Sequence, residues 1–126
     1  MNKIAPVGGH VAFADLVLDR SCRELRRGTQ RVIIKATSCR LLAFLMENAE
    51  QTVSRTTLYS VVWGMHFDPG TKVLEVQLTY LRKVLISLGC NVRIHTHRGL
   101  GLRLYALPGC PLPRSGEELQ VVLERV

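Results

Sequence analysis

Lys72, Val76, Thr79 and Lys83 recur at intervals of four, three and four residues, a spacing that puts all four side chains on one side of a helix. Tyr80 and Arg82 flank that side. A solvated helix face rarely turns a valine and a tyrosine outward among cations. The arrangement suits a polyanion with an apolar lining. Lys72 at the start and Lys83 roughly three turns on can each take a phosphate. Between them, Thr79 and Tyr80 offer hydroxyls to bases or phosphate, and Val76 fits a thymine methyl on the floor of a DNA major groove.

A second group lies downstream. Arg98 sits in His97-Arg98-Gly99-Leu100-Gly101, where two glycines predict a tight turn. Residues 91–96 alternate Val92, Ile94 and Thr96 against Arg93 and His95, and residues 102–107 return as a second strand. A hairpin with an arginine at its tip, beside a basic helix, is a wing. A narrow A·T-rich minor groove attracts such an arginine, and Thr96 can bond a neighbouring phosphate. His95 and His97 share a strand face, which is half of a metal site, but no Cys or carboxylate completes it. No metal or cofactor is expected. No nucleophile elbow, phosphate-binding loop or carboxylate pair is present either, so the sequence gives no case for an enzyme.

Composition agrees with a nucleic-acid partner. The 126 residues carry 17 Lys and Arg against 10 Asp and Glu, a net charge of +7, so polyanion partners are favoured, nucleic acid first and an anionic membrane second. At 47% hydrophobic residues the chain can bury one core, and its length fits one domain. No apolar run reaches the ~18 residues of a membrane span, and residues 1–11 lack the apolar centre of a signal peptide. The four cysteines form no C-x-x-C pair and read as reduced thiols in a cytoplasmic protein. The arginines at 20, 23, 26, 27 and 31 form either a second phosphate contact or a solubilising face.

The elements that position these groups follow from periodicity. Residues 11–18, 22–25 and 31–35 predict short strands of an antiparallel sheet, with turns at Asp19-Arg20-Ser21 and Arg26-Arg27-Gly28. Thr37 or Ser38 can cap a first helix carrying Leu41, Leu42, Leu45 and Met46, which ends near Asn48. Ser54 can cap a second, with Leu58, Val61 and Val62 inward and Gly64 at its end. Thr71 can cap and Gly89 terminate a third, whose Leu74, Leu78, Leu81, Leu85 and Leu88 fill a stripe about 80° wide. Past Leu107 three prolines predict a stiff linker, and Ser115 with Glu118 a capping box for a short apolar-faced helix. The expected organisation is an arm at 1–11, a domain at 12–107, and a linker with terminal helix at 108–126.

Five segments together resemble the OmpR/PhoB-type winged-helix output domain. They are Phe13-Ala14-Asp15-Leu16-Val17-Leu18-Asp19 with Arg23-Glu24-Leu25-Arg26, Thr37-Ser38-Cys39-Arg40-Leu41-Leu42, Val53-Ser54-Arg55 with Val62-Trp63-Gly64, Val76-Gln77-Leu78-Thr79-Tyr80-Leu81-Arg82-Lys83-Val84-Leu85, and Thr96-His97-Arg98-Gly99-Leu100-Gly101. Ser38 stands where the family usually has Glu, and Leu102 where its wing usually has Tyr. The resemblance implies an α+β fold: a winged helix-turn-helix with an N-terminal antiparallel sheet, a three-helix core and a C-terminal hairpin wing. It implies a bacterial transcription regulator on promoter DNA, with the third helix in the major groove and the wing in the minor groove. Arg82 matches a family DNA contact. Glu75, at the edge of that face, is expected to pair with Lys72 or Arg82. The loop holding Trp63, Met65, His66 and Phe67 matches the segment that touches RNA polymerase in the family. With about eleven residues ahead of the domain, a stand-alone regulator without a receiver domain is expected. A homodimer through the sheet or the terminal helix is a further expectation. The alternative is a protein-interaction module with weak or lost DNA binding.

Overall fold

The computed structural model describes residues 9–107, so the predicted helix after residue 114 lies outside the described residues. Four short strands open the chain: β1 His10–Phe13, β2 Leu16–Asp19, β3 Glu24–Arg27 and β4 Gln30–Ile33. They pair antiparallel in the order β1-β2-β3-β4. Residues 11–18 are therefore two strands rather than one. The break falls at Ala14-Asp15, where Ala14 takes a left-handed φ of 55°. Ala14 is a poor signal for such a turn, which is why the sequence reads as one interrupted strand. β1 also begins inside the segment expected to be an arm. The second predicted strand is displaced to 24–27, because residues 20–23 form the connection and Gly28, with φ 62°, turns the chain into β4.

Three helices follow: α1 Ala36–Glu47, α2 Arg55–Trp63 and α3 Val73–Leu88. β5 Thr52–Val53 lies between α1 and α2. β6 Val92–His97 and β7 Gly101–Ala106 close the chain as a hairpin, and the second sheet has the order β5-β7-β6. The leucine stripe behaves as its spacing requires: Leu74, Leu78, Leu81, Leu85 and Leu88 are all buried. They meet Leu41, Leu42 and Leu45 of α1, Leu58 of α2, and Leu16, Leu18 and Leu25 of the first sheet in one core. Leu102, at the position of the family tyrosine, is also buried there, so an aliphatic side chain fills the site.

Helix termini divide into expected and unexpected. Ser54 caps α2 by accepting from the Thr57 amide at 3.1 Å. Gly64 and Gly89 end α2 and α3 in left-handed conformations. Thr37 and Ser38 do not cap α1; Lys35 is its N-cap residue and makes no side-chain cap. Ser38 lies inside the helix, fully buried, and its hydroxyl donates to Gln77 Oε1 of α3. Likewise Lys72, not Thr71, precedes α3 and offers no side-chain cap. Val61 of α2 is exposed, and the buried position is taken by Tyr59 instead, whose ring packs on Trp63 at 5.1 Å. The nine-residue helix is too short for three apolar residues to fix its phase.

Candidate nucleic-acid interface

The outward side of α3 carries the residues its spacing assigned to it. Val76 is 59% exposed, Thr79 and Lys83 are exposed, and Lys72 lies at the helix start. Val73, exposed at 38%, joins them. Tyr80 is half-buried: it packs against the edge of the core, and Lys35, at the head of α1, sits over its ring at 4.5 Å. Lys35 thus brings a third ammonium to this face. No local pattern marks it, since it lies 45 residues from Tyr80. Among the described residues, Lys72, Lys83 and Arg98 form no ion pair, although Lys72 lies near enough to Glu75 to help hold its carboxyl down, so most of this charge stays available to an external anion.

Arg82 is placed differently. Its Nε and Nη2 donate to the Ile94 carbonyl at 3.3 and 3.1 Å, and Nη2 also donates to the Thr96 hydroxyl at 3.0 Å. β6 is an edge strand, so Ile94 turns its carbonyl away from β7 and toward α3. Arg82 and Thr96 therefore join the helix to the wing: Nε and Nη2 of Arg82 are engaged within the protein, while Thr96 stays exposed. Beyond this joint the hairpin turns at Arg98-Gly99-Leu100, with the Leu100 amide bonded to the His97 carbonyl at 2.9 Å. Arg98 and Leu100 are exposed at the tip. The base of the wing is fixed by Gly101: a Cβ on it would stand 1.9 Å from the Val53 carbonyl oxygen. Only glycine lets β7 lie this close to β5.

The loop before α3 is organised by Arg55, which the sequence reading did not single out. Its Nε meets Asp68 at 2.9 Å, its Nη1 meets Glu75 at 2.5 Å, and its guanidinium lies 5.7 Å from the Tyr59 ring. Glu75 therefore pairs with α2, not with Lys72 or Arg82; twenty residues of sequence separate the partners. The hydrogen bonds from Arg55 hold both carboxyls below their ordinary range and push the guanidinium further up. Asp68 also accepts from the Gly70 amide at 2.9 Å, which turns the chain at Asp68-Pro69-Gly70. Of the four loop residues, Trp63 and Met65 pack partly against the core, while His66 is exposed and Phe67 is 65% exposed.

The arginine cluster of the first sheet is largely neutralised. Arg20 pairs with Glu47, Arg26 and Arg31 with Glu24, and Arg27 with Asp15, leaving Arg23 without a carboxylate among the described residues. Asp15 also accepts from the Asn91 amide at 3.1 Å, which locks the first sheet to the start of β6. His95 and His97 stack edge to face at 4.5 Å. Among the described residues, no group of three metal-ligating side chains exists. Cys22, Cys39 and Cys90 are free thiols, and burial pushes Cys90 up to about 11, away from thiolate chemistry.

Comparison with known proteins points one way. A family described as "Transcriptional regulatory protein, C terminal" matches residues 29–104. The response regulator MprA of Mycobacterium avium (strain 104) is 36% identical over 98 residues, covering 78% of this chain and 43% of MprA. The chain thus spans less than half the length of the curated relatives it matches. Among solved structures, the DNA-binding domain of CpxR from E. coli superposes with a TM-score of 0.66 at 23% identity, covering 81% of this chain and 98% of that one. The Klebsiella pneumoniae RstA DNA-binding domain, solved in complex with the RstA box, gives 0.64 at 25% identity over 76% of this chain and 96% of that one.

Proposed function

The chain belongs to the transcriptional regulatory protein C-terminal family, the OmpR/PhoB-type winged helices, and from that premise we propose that it regulates transcription by binding promoter DNA. α3 lies in the major groove and the wing enters the adjacent minor groove. The observation that carries this reading is the set of cations outside any ion pair, Lys72, Lys83 and Arg98, beside a helix face that leaves Val76 outward. In this reading Lys72 and Lys83 neutralise phosphates, and Lys35 adds a third. Val76, Thr79 and Tyr80 meet base edges, and Arg98 enters the minor groove. Arg82 and Thr96 hold the wing at its angle to the helix. That one relative is solved bound to its DNA box supports the assignment.

Purified protein titrated onto duplex promoter DNA is expected to lose affinity steeply with salt. The log–log slope shrinks by about 0.9 for each phosphate contact removed, as in Lys83→Ala. Arg98→Ala is expected to weaken binding as well, most on A·T-rich flanks. Absence of binding even at low salt overturns the proposal.

Partners other than DNA follow from exposure. Phe67, with His66 beside it, offers RNA polymerase an apolar contact on a loop anchored by Trp63 and Met65. Ile33, 55% exposed on edge strand β4, offers the same to a second copy of the chain. No helix among the described residues is long and apolar enough to cross a membrane. The proposed site of action is the cytoplasm, where promoter DNA lies.

A further inference from the structure

We infer that α3 recognises pyrimidine C5-methyl groups, thymine foremost, rather than the hydrogen-bonding edges of purines. This rests on the DNA-binding reading above and specifies what the helix selects. Guanine is read by arginine or lysine on its O6 and N7, and adenine by asparagine or glutamine on N6 and N7. α3 holds one arginine and one glutamine, and each has part of the pair of atoms needed for bidentate reading engaged within the protein. Arg82 spends Nε and Nη2 on Ile94 and Thr96. Gln77 takes the hydroxyl of buried Ser38 on its Oε1. Glu75, which can accept from cytosine, is engaged by Arg55. Lys83 lies ten residues past Val73, toward the end of the helix that suits the backbone.

What remains is mostly carbon. Val73 and Val76 are turned outward, half-buried Tyr80 shows part of its ring and its hydroxyl, and Thr79 adds its methyl group, because its hydroxyl donates to the Glu75 carbonyl one turn back at 3.0 Å. At 100° per residue these four side chains occupy about 120° of the helix circumference. They sit in its N-terminal half, the part that meets base edges in helix-turn-helix complexes. In the major groove the apolar feature that distinguishes one base pair from another is the C5-methyl of thymine, and 5-methylcytosine presents the same group at the same place.

The test starts from duplexes selected out of a random pool by the purified full-length protein. Each selected thymine is then replaced by deoxyuridine, which removes the methyl and leaves every hydrogen-bonding group of the base. At the positions under α3 we expect affinity to fall about fourfold per methyl, the worth of burying one such group. In a second arm, a cytosine placed at the same position and then methylated at C5 is expected to regain a similar factor, which separates the methyl from the rest of the thymine base. Val76→Ala, an exposed substitution that leaves the core intact, is expected to weaken binding to thymine and to have little further effect on the uracil duplex. Equal binding to thymine and uracil duplexes, or selected sites fixed by guanines under α3, overturns the inference while leaving DNA binding intact. Failure to select any duplex at low salt overturns the DNA-binding reading itself.

Discussion

The two attachments of α3 to its neighbours are built from opposite materials. On the loop side, Arg55 bridges two carboxylates, Asp68 and Glu75, both substantially exposed. On the wing side, Arg82 meets a backbone carbonyl and a hydroxyl, and Gly101 presses β7 against the β5 backbone. The loop joint is made of charge pairs in contact with water, which salt and pH can weaken. The wing joint uses neutral acceptors and close packing, which neither affects much. A DNA reader benefits from that division: the angle between helix and wing stays fixed on the polyanion, while the loop keeps freedom to adjust.

The largest expected effect breaks the wing joint. Gly101→Ala sets a Cβ against the Val53 carbonyl at a φ of 146°, where side chains are strained regardless of space. Neither backbone can yield without unpairing β5 from β7. A loss of about 3 kcal/mol or more is expected, on the order of 10 °C or more in Tm for a domain this size. A variant melting within a few degrees of the parent would show that the wing base is less tightly built than the close approach implies.

Arg82→Met comes next. The methionine keeps the packing of the stem and removes the donors. The Ile94 carbonyl loses its partner, at an expected cost of about 1–2 kcal/mol. The sharper readout is amide exchange: β6 is expected to lose protection while the loop before α3 keeps its own. DNA affinity should fall without a change in base preference, since Nε and Nη2 of Arg82 are already engaged by Ile94 and Thr96. A switch in preferred bases would instead make Arg82 a direct reader.

Much of α3 was legible in advance because its periodicity is long and its core side is all leucine. Sixteen residues of consistent spacing fix a helix's phase, and Gly89 marks its end by requiring a left-handed φ. The outward face followed by subtraction, which is why Val76, Thr79 and Lys83 are where spacing put them. The partners of its edge residues were not legible. Spacing offers Glu75 charges on its own helix, whereas it bonds across to α2; nothing in the spacing shows that an edge-strand carbonyl takes up Nε and Nη2 of Arg82. Lys35 over Tyr80, and Asp15 on the Asn91 amide 76 residues away, are likewise set by how elements pack. The short α2 shows the same limit: nine residues could not decide between Val61 and Tyr59 for the core.

The loop joint gives smaller effects. Arg55→Met is expected to cost about 1 kcal/mol or less, since its partners are partly solvated. Limited proteolysis between Gly64 and Lys72 should speed up while the core resists. Comparable loss of protection in β6 would mean that the two joints are coupled rather than separate.

The smallest effect is the pH response of the same joint. Asp68 and Glu75 both titrate below their ordinary values of 3.8 and 4.5 in the folded chain, because Arg55 donates to them. A carboxyl whose folded pKa is depressed binds fewer protons folded than unfolded. Its contribution is complete above the ordinary value and disappears as pH falls through the folded one. Loop protection is therefore expected to hold near pH 6 and to decline from about pH 4 downward. The acceptors of the Arg82 joint are neutral, although β6 also carries His95 and His97 and Asp15 holds the Asn91 amide at its start, so exchange at β6 should respond less than the loop over the same range. Glu75→Gln removes part of the titration and should flatten the loop's response. If loop and β6 instead lose protection together along one curve, general acid unfolding is responsible, and the charged and neutral joints are not distinguishable by pH.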